Sequence, residues 1–181
     1  MITTTLRLQK SGSGSTSPVK RSLLKRKPRI RHIMDSDMRW LWAAYQLGMW
    51  RDIMAGNLSQ DGFEEKALEI IAGAPYEWIV EAQGDDGLRP VCVFMAQTMG
   101  ANGIEPAVQW LPWATPRNRV EAIAVFLKEI SKQMKIFVFS CDDNVRFWTR
   151  MASYGLVRRG CKVVDYFSRG NHAMLFYTVG Q

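Results

Sequence analysis

The sequence predicts a mixed α+β domain behind a basic arm, on three observations. Strand-like apolar runs and helical stripes follow one another in the order β-α-α-β-β-β-α-β-α-β-β. The three middle strands are joined by short polar links that contain glycine, the signature of an antiparallel meander. Positive charge is crowded at one end: residues 1–32 hold nine of the 24 Lys and Arg and no acid. The remaining fifteen bases face seventeen acids, so the net charge of +7 belongs to the arm and the body is close to neutral.

Each element has its own warrant. Residues 1–17 are rich in Thr, Ser and Gly, a composition that buries too little apolar surface to offset ordering entropy. The tract from Pro18 to Arg31 carries Lys20, Arg21, Lys25, Arg26, Lys27, Arg29 and Arg31. The expected division is a flexible, disordered basic arm over 1–29 and one domain over 30–181. A short strand is expected near Ile30–Met34, then cap chemistry at Asp35-Ser36-Asp37. Met38, Leu41, Trp42, Tyr45, Met49 and Ile53 share one helical face, with Gly56-Asn57 as the stop. Phe63, Ala67, Leu68 and Ile71 give a second helix, ended by Gly73 and Pro75.

The meander strands are expected over 77–81, 88–98 and 104–111. Thr115-Pro116 is a helix start, with Thr as cap and Pro at the first helical position. Val120, Ile123, Ala124, Leu127, Ile130 and Met134 follow at helical spacing, a stripe that predicts Val120 facing the core. A strand at 136–140, a helix opened by Asn144 and closed by Gly155, and a hairpin around residues 168–171 complete the chain.

Several classes are excluded. No apolar run is long enough to cross a bilayer, and the basic N-terminal residues contain no signal-peptide apolar core, so neither secretion nor a membrane partner is expected. Cys92, Cys141 and Cys161 are odd in number and lack CxxC spacing, against a disulfide framework or structural zinc. His32 and His172 make no metal motif, and no metal is expected. Trp40, Trp42, Trp50, Trp110 and Trp113 fit either core packing or a protein-binding surface.

The element order, the segment Arg117-Asn118-Arg119-Val120-Glu121-Ala122 and the segment from Asn144 to Gly155-Leu156 together resemble the GCN5-related N-acetyltransferases, a family with an acyl-CoA N-acyltransferase fold: a mixed central sheet flanked by about four helices. The resemblance covers residues 30–181. In that family the turn after the fourth strand reads Arg/Gln-x-x-Gly-x-Gly/Ala, and its amides and helix N-terminus receive the diphosphate of acetyl-CoA. Arg117 and Ala122 match that pattern, while Val120 stands at the glycine. The resemblance therefore implies Arg117, Asn118, Arg119, Val120, Ala122 and Asn144 as a degenerate cofactor site. Met151 occupies the family's proton-donating tyrosine position, with Tyr154 three residues on. Glu105, with Glu81 behind it, is the candidate general base, and Glu105 and Tyr154 are the catalytic candidates if the protein is active.

Taken with the valine, the resemblance implies a non-catalytic or weakly catalytic protein without a cofactor. It would be a structural component like the acetyltransferase-like virion proteins of short-tailed DNA phages. On that expectation it sits in the virion or host cytoplasm, its partners are other virion proteins, and the arm touches protein or DNA. The alternative is an active enzyme that moves acetyl from acetyl-CoA to an amine.

Overall fold

The computed structural model describes residues 27–50, 54, 57–85, 87–164 and 172–179. Its seven-stranded sheet has the order β1-β2-β3-β4-β5-β7-β6. The strands are β1 (Arg29–Arg31), β2 (Tyr76–Gly84), β3 (Gly87–Thr98), β4 (Gly103–Trp110), β5 (Lys135–Ser140), β6 (Arg158–Val164) and β7 (His172–Tyr177). Four α-helices flank it: α1 (Met38–Gln46), α2 (Gln60–Gly73), α3 (Pro116–Ile130) and α4 (Asp142–Ser153). A 3-10 turn at Asp35–Asp37 leads into α1. The expected α+β class and mixed sheet with four helices are thus observed.

β1 to β4 form an antiparallel meander, β4 and β5 run parallel, and β7 pairs antiparallel with both β5 and β6. Strand alternation sends β2 and β3 side chains to both faces, and each face is covered. Trp78, Val80, Cys92 and Phe94 meet Phe126 of α3 and Met151 of α4 in one core. Ile79 and Val93 meet Leu41 and Tyr45 of α1 and Phe63 of α2 in the other. The Phe94 and Phe126 rings stack at 3.9 Å, fixing α3 against the middle of the sheet. Cys92 is fully buried in this core, and burial pushes its thiol far up, so it is a packing group.

Two helix ends carry the same lock. At the end of α1, Gly48 takes φ +96°, its N–H bonds Tyr45 O, and Met49 N–H bonds Ala44 O. At the end of α4, Gly155 takes φ +72°, its N–H bonds Ala152 O, and Leu156 N–H bonds Met151 O. These are Schellman caps, which need the left-handed backbone that glycine supplies. The α4 stop is where the sequence places it. The α1 stop falls earlier than Gly56-Asn57, because Gly48 ends the helix first.

Arg29 and Arg31, expected to be free arm cations, are built into the sheet instead. Their backbones pair with Glu81 and Ile79 of β2. Arg31 grips Asp37 through Nη1–Oδ2 at 2.6 Å and Nη2–Oδ1 at 2.7 Å, and reaches Glu81 Oε1 at 2.8 Å. Arg29 donates to the other oxygen of Glu81. Asp37 and Glu81 are both buried, and two buried carboxylates need these cations to stay charged. Lys20, Arg21, Lys25 and Arg26 lie outside the described residues; Lys27 is exposed just before β1.

Candidate active site

The functional geometry starts from an interrupted ladder. β3 and β4 pair without a break from Thr98↔Ile104 to Cys92↔Trp110. β4 and β5 pair only at Gly103↔Lys135 and Ile104↔Ile136. Beyond Ile104 no further β4–β5 pair forms, and strand alternation turns the backbone groups of Pro106, Val108 and Trp110 toward the gap. Backbone N–H and C=O groups demand hydrogen bonds. A gap of this kind offers an extended ligand the place of a strand.

The closed end of the gap is set by Gly103. A Cβ there would fall 2.4 Å from Met99 O and 2.5 Å from Phe137 Cε2, so the ring of β5 can cross β4 only at a glycine. The open end lies where β4 and β5 finish and α3 and α4 begin. Trp110, the last residue of β4, packs on the core, and the Arg119 guanidinium lies 5.5 Å from its ring centroid. Arg119 is in phase with the buried face of α3, but it sits in the first turns, so its cation reaches the strand end.

Here the sequence expectation about Val120 fails. α3 begins at Pro116, so residues 117–122 are helix and the turn after β4 is Leu111–Thr115. Val120 is 42% exposed, and the buried stripe runs instead through Asn118, Ala122, Ile123, Phe126, Leu127 and Ile130. At 100° per residue Val120 lies about a quarter turn off the centre of that stripe. It neither fills the core nor stands in a phosphate turn. Ala122 is buried under α3 and faces away from solvent.

The helix start has its own accounting. Thr115 Oγ1 accepts the Asn118 N–H at 3.1 Å, and Asn118 Oδ1 accepts the Thr115 N–H at 3.2 Å, a reciprocal cap. The Arg119 N–H goes to Thr115 O, and Pro116 has no N–H. Among the described residues this leaves the Arg117 amide as the first-turn donor still open to an anion. The Arg117 side chain is exposed and pairs with Glu121, Nε to Oε1 at 2.7 Å.

Glu105 sits at the closed end, one residue past the last β4–β5 pair. Its neighbour Ile104 points into the α3 core, so Glu105 projects to the α1/α2 face. There it accepts from Gln97 Nε2 at 3.0 Å across the β3–β4 ladder. It lines a groove of about 360 Å³ with Ala74 and Pro75 at the end of α2 and with Pro106 and Ala107. Glu105 is the one charged residue lining that groove among the described residues. Glu81 is a poor base by contrast. Burial alone would raise its carboxyl, but hydrogen bonds and charge from Arg29 and Arg31 outweigh burial and hold it below the ordinary range.

On α4, Asn144 is exposed in the first turn, its N–H bonded to Cys141 O. Met151 is 1% exposed and packs in the core. Tyr154 sits beyond the opposite end of the helix, 57% exposed, accepting from Arg150 Nε at 2.9 Å. The fold therefore brings Arg119 to the open end of the gap, where the first turn of α4 carries Asn144, and Glu105 to its closed end. It turns the Arg117 side chain to the opposite side of the α3 start and leaves Tyr154 at neither end. The ladder interruption does have a local sequence signal, which sequence reasoning missed: Pro106 lies just past the last β4–β5 pair and has no N–H to extend it. Trp110 was legible in the sequence only as one of several tryptophans fit for core packing or a protein-binding surface.

No group of three or more potential metal ligands exists among the described residues. No helix among them is long and apolar enough to cross a membrane. No family model and no curated protein sequence matches the chain. Solved structures do match in shape. An acetyltransferase of the GNAT family from Bacillus anthracis aligns with TM-score 0.56 at 14% identity, over 86% of this chain and 96% of that one. The spermidine N-acetyltransferase of Vibrio cholerae, solved in complex with CoA and spermine, aligns with TM-score 0.55 at 15% identity, over 85% and 96%.

The expectation of a non-catalytic structural component of a phage virion is corrected by these findings. The likeness runs to acetyl-transferring enzymes, and nothing in it supports a virion role. Val120 itself is a surface residue of a formed helix. In architecture, over nearly all of its described length, the chain has the fold of the GCN5-related N-acetyltransferases.

Proposed function

We propose that this protein is an acetyl-CoA-dependent N-acetyltransferase that acylates an amine. The observation that carries the reading is the ladder that stops at Ile104, leaving the alternate backbone groups of Pro106, Val108 and Trp110 facing an open gap at the start of α3 and α4. An acyl-CoA fits such a gap by chemistry. Its pantetheine arm is a chain of amides that can replace strand pairing along β4. Its diphosphate would lie at the open end, where Arg119 and the Arg117 amide supply positive charge. Asn144 would meet the arm from α4.

The thioester supplies an activated acyl group, and the protein supplies position and a proton acceptor. The amine would enter from the groove on the α1/α2 face, where Glu105 is the single charged lining residue and favours a cationic partner. Glu105 takes the proton that the amine must lose before or during attack, directly or through one water. The amine nitrogen bonds the acyl carbon, the carbon–sulfur bond breaks, and the thiolate leaves. Met151 has no proton to give and is buried, and Tyr154 is at the wrong end of α4. The thiolate is therefore protonated by solvent.

The test has two parts. Titration calorimetry of the full chain with acetyl-CoA should show binding in the micromolar range. Release of free thiol with a panel of primary amines should show turnover. No heat at millimolar acetyl-CoA, together with no thiol release, would refute the reading.

A further inference from the structure

A second cleft lies on the other side of the α3 start from the gap. It has a volume of about 380 Å³ and is bounded by the β2–β3 hairpin, the residues before β1 and the first turns of α3. Cations enter it from three separate elements: Lys27 ahead of β1, Arg89 from β3 and Arg117 from α3. The carboxylates lining it are Asp85 and Glu121, and Glu121 is already held by Arg117.

Arg89 is arranged unusually. Its side chain lies flat across Gly84 of the neighbouring strand, where a Cβ would fall 2.9 Å from both its Cδ and its Nε. A Cβ at that position would push the arginine side chain off the path by which its guanidinium crosses to the β4–α3 turn. There Nη2 makes a long contact of 3.5 Å to Trp113 O. The Nε–H is buried and meets no acceptor among the described residues. Trp113 is itself pinned by its Nε1–H to Pro90 O at 2.7 Å, so the carbonyl that Arg89 approaches is fixed. A guanidinium presents five donors in a rigid fork, and a buried unmet donor of a charged group is costly. An anion in the cleft would meet the terminal N–H groups of the same guanidinium.

We infer that this cleft binds a phosphate monoester, with Arg89 as its main grip and Lys27 and Arg117 as flanking cations. A tetrahedral group offers an oxygen to each of three cations arriving from different directions, whereas a planar carboxylate offers two. Such a group could be the 3′-phosphate of the coenzyme or a free phosphate. Only the first source rests on the function proposed above; the site does not.

The experiment is calorimetry on the full chain with three probes: coenzyme A, dephospho-coenzyme A lacking the 3′-phosphate, and inorganic phosphate. Two variants accompany the wild type. Arg89→Gln removes the charge, and Gly84→Ala keeps it but displaces the side chain, which covers the case in which Arg89→Gln fails to fold. If the coenzyme is the source, both variants should bind coenzyme A about tenfold more weakly, in line with loss of one charge-assisted hydrogen bond. Their affinity for dephospho-coenzyme A should not change. If free phosphate is the source, both variants should lose inorganic phosphate binding and keep coenzyme A. Binding of inorganic phosphate without any binding of coenzyme A would support the cleft and refute the enzyme reading. Equal weakening for the coenzyme and its dephospho form would overturn the inference, because it would place Arg89 on the shared diphosphate. Variants that match the wild type with every probe would overturn it too.

Discussion

The two sides of β4 differ sharply. Toward β3 the strand is laddered along its whole length, from Ile104 to Trp110. Toward β5 it is held at Gly103 and Ile104 and then released. The first side behaves like ordinary sheet, and its neighbours are over-determined by the Phe94–Phe126 stack and the Arg31–Asp37–Glu81 cluster. The second side leaves backbone polar groups unspent beside the start of two helices. The lesson is that the rigid side positions the open one: the proposed cofactor site needs a strand that cannot drift.

The strongest way to break the comparison is on the rigid side. Arg31→Ala would leave Asp37 and Glu81 buried without their shared cation, which costs about 3–5 kcal/mol of stability. Chemical denaturation at neutral pH checks this. The pH dependence has a definite sign. Both carboxyls are held below their ordinary range: burial would raise them, but the arginines outweigh it. Their contribution is therefore full above the unfolded carboxylate range, about pH 4, and is lost as pH falls through the lower folded values. The gap between wild type and variant should accordingly shrink below about pH 4.

On the open side, Glu105→Gln should lower the rate of amine acetylation by about a hundredfold or more, with little change in acetyl-CoA binding. Thiol-release kinetics paired with calorimetry separate the two quantities, and a variant as fast as wild type would remove Glu105 from the mechanism. Gly103→Ala tests the hinge between the two sides. Its Cβ would meet fixed backbone and the Phe137 ring, so a loss of about 3 kcal/mol in unfolding free energy is expected. The smallest effect should come from Val120→Gly. At an exposed helical position it costs about 0.5 kcal/mol. Acetyl-CoA affinity should stay within twofold, whereas a gain of tenfold would show that valine does block a phosphate turn.

The rigid side was far more legible in the sequence than the open one. The order of elements is read from local periodicity, and Thr115-Pro116 marks the α3 start correctly. That same start already places Val120 inside the helix, about one turn past the cap. Gly48 ends α1 through a cap that a longer apolar stripe concealed. The roles of Arg29 and Arg31 were hidden because Glu81 lies fifty residues away, beyond any local pattern. The parting of β4 from β5 depends on register between strands separated by a whole helix. Glu105 was recognisable as a strand carboxylate, but its place beside the last β4–β5 pair was not.

Amide hydrogen exchange along β4, read with and without acetyl-CoA, reports most directly on the claim that the open strand edge holds the cofactor. Binding should slow exchange at alternate amides between Glu105 and Trp110 and leave those of β3 as they were. Saturating cofactor that slows no amide in this stretch would contradict the account.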